Sequence, residues 1–148
     1  MLSEEDKRLY DLDVLARTIY GEARGEFNQT DGGLGALMAI ANVIVNRTKF
    51  PQCFGKSISE ICLKPHQFSC WNANDANYQM ITSVQLGDNH IFDLCWNVAE
   101  NIYQGKWPDL THGSDHYYAS WLSYTPAWVK GVKPQACIGQ HIFFKLHA

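Results

Sequence analysis

The chain has 148 residues, 46% of them hydrophobic, and a formal net charge of −3. That is enough apolar material for one sizeable core and too little length for two ordinary domains, so residues 1–148 read as a single domain. Lys and Arg number 12 against 15 Asp and Glu, with no basic run among them, so there is no field to hold a phosphate backbone and no nucleic acid partner is expected.

The first residues, MLSEEDKRLYDLD, are polar and acidic where an export signal needs a basic start and an apolar stretch. No apolar run approaches the ~20 residues that span a bilayer. The expectation is a monomer made in the cytoplasm without a signal peptide and without stable membrane insertion. From Leu9, apolar residues recur at Leu12, Leu15, Ala16, Ile19 and Ala23, the spacing of an amphipathic helix that stops near Gly25. A polar turn, NQTDGG, follows, with Asp31 as N-cap of LGALMAIANVIVNR. That run is apolar nearly all round apart from Asn42, Asn46 and Arg47, as a buried central helix must be. The two asparagines lie one turn apart and read as hydrogen-bonded structural supports.

Ser57 and Glu60 form an S-x-x-E capping box for a short helix that Pro65 ends, and the loop HQFSCWN comes next. Ile91, Leu94, Cys95, Val98 and Ile102 mark another helix, started by Asp88 or Asn89 and closed by Gly105 and Pro108. The tail segments DHYYASW and QACIGQHIFFKL, rich in aromatic and β-branched residues, predict a small sheet or a pair of extended segments. Helices first and a little sheet late make the class α+β. The five cysteines, Cys53, Cys62, Cys70, Cys95 and Cys137, are odd in number and lack a C-x-x-C pair. They argue against a disulfide framework or a thiolate zinc ribbon and read as small buried hydrophobes.

The heptapeptide YGEARGE, residues 20 to 26, places two glutamates four apart at the end of the first helix. At ~100° per residue Glu22 points within about 20° of Leu15 and close to Ile19, on or beside the buried face. Desolvation and the negative end of the helix dipole would both favour its neutral acid form, which is how a general acid is made. Glu26 has the same phase but follows Gly25, so the helical period does not fix its orientation. The heptapeptide alone leaves a second reading open, in which both carboxylates are solvated and pair with Arg17 or Arg24.

YGEARGE, then AIANVIVNR, FP, HQFSCWN and IGQHIFF form an ordered series that resembles the catalytic domain of SleB-type cell-wall hydrolases, over roughly Leu12 to Phe144. That family includes spore-cortex-lytic enzymes and phage endolysins. The resemblance implies a lysozyme-like fold, mainly helical with a small antiparallel sheet, that cuts the glycan strands of peptidoglycan without a cofactor. In the best-understood members the reaction is lytic transglycosylation. The family's catalytic glutamate falls on Glu22, and Gln67, Phe68 and Ser69 become candidates for contacts with an acetamido group or a sugar face. Glu26, Tyr118 and His141 join them as substrate-binding candidates, His141 because the family pattern sets it near the cleft. A chain with neither export signal nor wall-binding domain then reads as a single-domain phage or prophage endolysin, acting at the wall or in the periplasm after release.

Glycosidic cleavage needs a proton for the leaving oxygen, and hydrolysis commonly adds a second carboxylate. Glu26, Asp31, Asp75 and Asp115 are candidates, each also readable as a turn, cap or surface residue. Transglycosylation needs no second acid, because the substrate's own C6 hydroxyl is the acceptor. Three rivals stay open: a hydrolytic muramidase, a zinc amidase or peptidase using His112, Asp115, His116 and His141, and a non-catalytic sugar-binding module. The zinc reading is weakened because HGSDH has the Gly and Ser of a loop, where His-x3-His does not align two ligands as it does on a helix.

Overall fold

The computed structural model describes residues 1–27 and 33–148. Ser3 starts the first helix: its hydroxyl accepts the Asp6 N–H at 3.0 Å, and the acidic first turn of Glu4, Glu5 and Asp6 suits the positive helix end. Helix α1 then runs Glu4–Phe27, longer at both ends than its apolar stripe. Leu9 is 42% exposed, so the first turns rest on capping and on the Arg8–Glu5 ion pair rather than on burial. At the other end the helix passes straight through Gly25, because Glu26 beyond it is buried and anchored.

Helix α2 (Gly33–Arg47) is the central element, with Leu37, Ala39, Ile40, Ala41, Val43 and Ile44 all fully buried against α1 and against α6 (His90–Tyr103). The expected cap Asp31 lies outside the described residues. Asn42 donates to Pro108 O and accepts from Leu110 N, while Asn46 donates to Asp109 Oδ2 and Ser114 O. The two side chains thus fix the loop that leads into the sheet.

Short helices α3 (Pro51–Phe54), α4 (Ile58–Leu63) and α5 (Tyr78–Ser83) close the ends of the bundle. Ser57 caps α4 by accepting Glu60 N at 3.2 Å, but the return bond from Glu60 goes to Lys56 N at 2.8 Å, one residue earlier than in a standard capping box. Pro65 holds Lys64 extended and ends α4. Asn89 caps α6 through Ile91 N and Phe92 N.

The tail forms an antiparallel sheet in the order β1–β3–β2, from β1 (His116–Ala119), β2 (Pro134–Ile138) and β3 (His141–Phe144). Tyr117 stands opposite Phe143 and Ala119 opposite His141. Side chains alternate across the sheet, so Tyr117, His141 and Phe143 share the face toward the helices, while His116, Tyr118 and Phe144 face Trp128 on the other side. The chain is α+β, mainly helical with a small antiparallel sheet. Cys62, Cys70 and Cys95 are buried as expected, whereas Cys53 and Cys137 are exposed, and all five are free. Among the described residues no helix is long and apolar enough to cross a membrane.

Candidate active site

The glycine that precedes Glu22 has a packing role. A Cβ at Gly21 would lie 2.8 Å from both Cβ and Sγ of Cys70 and 3.0 Å from Ile81, so only glycine lets the 3₁₀ turn Ser69–Trp71 pack onto α1 at this point. Trp71 fastens the same turn by donating its indole N–H to the Thr18 hydroxyl at 2.9 Å. The turn thereby sets the Cys70 side chain against α1 at Gly21, beside Glu22.

From the sheet side, the Tyr117 hydroxyl donates to Glu22 Oε1 at 2.7 Å. Glu22 reaches the surface of a cavity of about 360 Å³, yet protein surrounds its carboxyl on most sides. Burial pushes its pKa up, and the Asp75 charge adds to that; the Tyr117 and Cys70 hydrogen bonds and His141 pull in the opposite direction without cancelling it. The helix dipole has a smaller part than the sequence suggested, because α1 continues to Phe27 and Glu22 is not in its last turn. Burial and the adjacent Glu22 raise the Tyr117 pKa well above its usual 10, so its hydroxyl stays a donor.

Gln67, Phe68 and Ser69 line this cavity, as do Arg47, His66, Asn72 and Tyr117. Gln67 and Ser69 are exposed to it, whereas Phe68 is 3% exposed and packs into the core beneath the Arg47 guanidinium, 5.5 Å away. His66 holds a left-handed backbone, φ 68°, at the cavity rim. Tyr118 is not among the lining residues: it stacks on Phe144 on the far face of the sheet.

Glu26 and His141 sit together behind the cavity rather than in its lining. Glu26 is 6% exposed; its Oε2 pairs with His141 Nδ1 at 2.8 Å and its Oε1 accepts the Gln140 N–H at 2.6 Å. This corrects the expectation of a turn or surface carboxylate. Gly139, at φ 59°, makes the contact possible, since a Cβ there would strike the Glu26 carboxyl. The pair ties the β2–β3 hairpin to α1, and the Tyr117 ring stands edge-on to His141 at 4.9 Å. Neither glutamate pairs with a nearby arginine: Arg17 bonds Asp13, Ile81 O and Val84 O, and Arg24 bonds Asn77.

Asp115 is also buried, at 0% exposure, which corrects its reading as a surface or turn residue. Its Oδ1 accepts from Leu146 N and His116 Nδ1, and its Oδ2 from His147 N and His147 Nδ1, all at 2.9–3.1 Å. Of the four residues in the zinc reading, only Asp115 and His116 come together; His147 joins them, while His112 and His141 lie elsewhere. The Nδ1 atoms of both histidines bond the Asp115 carboxylate and so help to hold the tail, and none of the three residues lines the Glu22 cavity.

Sequence reasoning missed Tyr117 and Arg47 as site residues. Period-2 alternation held the signal for the first: if His141 faces the helices, so does Phe143, and with it the residue opposite Phe143, which is Tyr117 rather than Tyr118. Arg47 was visible as a cation at the end of a buried helix, a placement that calls for a compensating partner. A larger groove of about 580 Å³, lined by Tyr10, Pro51 and Leu63, contains only one carboxylate, Glu60, which is committed to capping α4.

A cavity with one desolvated carboxyl, held by a tyrosine and flanked by amide and hydroxyl groups, is a candidate site for acid catalysis on a polar substrate. Residues 33–144 match the family described as cell wall hydrolase, and the chain belongs to that family. Two solved structures share its fold. The catalytic domain of the Bacillus cereus SleB protein is 21% identical, with a TM-score of 0.64, over 93% of this chain and 91% of that one. The catalytic domain of the germination-specific lytic transglycosylase SleB from Bacillus anthracis is 23% identical, with a TM-score of 0.64, over 97% of each chain. No curated protein matches the chain.

Proposed function

We propose that this protein cleaves the bond between N-acetylmuramic acid and N-acetylglucosamine in peptidoglycan, as a lytic transglycosylase with Glu22 as its one catalytic acid. The observation that carries the reading is that Glu22 is the only carboxyl among the described residues lining the cavity, and burial favours its protonated form. Glu22 donates its proton to the glycosidic oxygen as the bond from that oxygen to the muramic C1 breaks. The resulting carboxylate, with Oε1 held by Tyr117, faces the cationic sugar. It then removes the proton from the C6 hydroxyl while the C6 oxygen bonds to C1. The 1,6-anhydro ring closes, Glu22 is protonated again, and no water is consumed. Two of the other carboxylates that could serve hydrolysis are spent elsewhere: Glu26 on the hairpin and Asp115 on the tail.

A hydrolytic muramidase is the second reading, and one observation favours it: Asp75 is near enough for its charge to act on Glu22. Mass spectrometry of digests of purified peptidoglycan separates the two. Transglycosylation leaves 1,6-anhydro-N-acetylmuramoyl ends, one water lighter and non-reducing; reducible muramic ends would make the enzyme a hydrolase, with Asp75 the first partner to test by Asp75→Asn. The resemblance to endolysins supports a role for residues 1–148 as one domain that works as a monomer, made in a host cytoplasm and acting on the wall after release.

A further inference from the structure

Arg47 ends the buried helix α2 and is itself 7% exposed, yet no carboxylate of the described residues pairs with it. Its Nε donates to Asp115 O at 2.8 Å and its Nη1 to Gln67 Oε1 at 3.1 Å, and the guanidinium lies over the rings of Phe54 and Phe68. These contacts fix its plane but supply no negative charge. Two of its five N–H groups are used, and Nη2 has no hydrogen bond among the described residues. Because every buried side-chain polar atom of the described residues has a partner, Nη2 is not sealed in the core, and Arg47 lines the cavity together with Glu22.

A cation so placed is costly unless the ligand completes it. Arg47 is the one guanidinium on the cavity lining, and apart from Gln67 Oε1 it has no acceptor there among the described residues. Both sugars of a glycan strand carry an acetamido group, so that group does not distinguish them. Only muramic acid carries a 3-O-lactyl substituent, whose carboxyl is an anion in peptide-free strands and an amide carbonyl where a stem peptide is attached.

Resting on the transglycosylase reading above, we propose that Arg47 is a specificity residue whose open N–H groups bind the lactyl carboxyl oxygen of the muramic acid beside the scissile bond. It marks which sugar contributes C1 to the reaction, and Gln67 holds the guanidinium in the plane that receives the oxygen. A charge-assisted hydrogen bond of this kind is worth about a tenfold change in affinity or more.

The test measures binding to the Glu22→Gln protein, in which turnover should be suppressed about a hundredfold or more. The probes are peptide-free muramyl strands, the same strands with the lactyl carboxyl reduced to the alcohol, and chitotetraose, which has no lactyl group. The unreduced strand should bind about tenfold or more tightly than the reduced one. In Glu22→Gln/Arg47→Lys that preference should collapse, with chitotetraose affinity falling less than affinity for the unreduced strand. Equal affinity for the two strands overturns the assignment, and so does a preference that survives Arg47→Lys. If no glycan binds at all, the glycan reading falls and this inference with it. Should Arg47→Lys fail to fold, the comparison of reduced and unreduced strands decides the question without any change at Arg47.

Discussion

Glu22, on α1 against Tyr117 of β1, and Asp115, just before β1, are two enclosed carboxyls held in opposite ways. Glu22 receives one tyrosine hydroxyl; burial dominates and pushes its pKa up. Asp115 is at least as deeply buried, and burial would raise it too, but the N–H groups of Leu146 and His147 and the imidazoles of His116 and His147 together hold it below the usual carboxylate range. The number of N–H donors separates them. A carboxyl given four is held as an ionised anchor, and one given none is left nearer its neutral form.

The sharpest way to break this contrast is at the acid. Glu22→Gln keeps shape but cannot donate a proton, and should cut muropeptide release by a factor on the order of a hundred or more with the fold intact. Glu26→Gln should lower activity less and thermal stability more, because its carboxyl ties the hairpin to α1. A greater activity loss from Glu26→Gln would reverse the roles given to the two glutamates.

The anchor comes next. Asp115→Asn leaves buried donors facing an amide and should cost about 2–4 kcal/mol in urea unfolding, with EDTA changing neither activity nor midpoint. The two sites also differ in the sign of their pH dependence. Asp115 has a depressed folded pKa, so its stabilisation is complete above the ordinary aspartate value of 3.8 and is lost as the pH falls through the folded one. Glu22 has a raised folded pKa, so its favourable contribution exists below the ordinary glutamate value of 4.5 and is lost as the pH rises through the raised one. At neutral pH, therefore, Glu22→Gln should melt at a higher temperature than the parent protein while Asp115→Asn melts lower. A melting temperature that fell in both would remove the contrast.

Smaller effects follow at the packing that sets Glu22 in place. Gly21→Ala drives a methyl group into Cys70 and should cost about 1–3 kcal/mol, with a several-fold loss of activity as the thiol moves off the carboxyl. The smallest effect is expected at the exposed thiols. Iodoacetamide on the native protein should label Cys53 and Cys137 and leave activity within about twofold, sparing Cys62 and Cys95, whose pKa values burial pushes up to about 12.

Much of this was legible in the sequence where periodicity is long. The stripes of α1, α2 and α6 and the aromatic tail each ran far enough to give element type, and the phase of Glu22 against Leu15 gave its burial. Local chemistry failed where it competed with tertiary contact. Gly25 looked like a helix stop, but the Glu26–His141 pair holds the helix through it. Asp115 sits in a Gly/Ser loop that looks solvated, and its donors lie some thirty residues away at the chain's end, a distance no local pattern spans. Helices α3 and α5, of four and six residues, were too short for any period to register. Tyr118 was named, whereas Tyr117 lines the cavity, because parity was not carried across the strand pair.

The account rests on Glu22 being the proton donor, and a ¹³C NMR titration of the side-chain carboxyls measures that directly. With Glu22→Gln used to assign the resonance, Glu22 should titrate above the ordinary glutamate value and Asp115 below the ordinary aspartate value. The basic limb of kcat/KM should follow the Glu22 curve. A Glu22 carboxyl that titrates at or below the ordinary glutamate value, already ionised across the pH range of activity, would contradict its role as the catalytic acid.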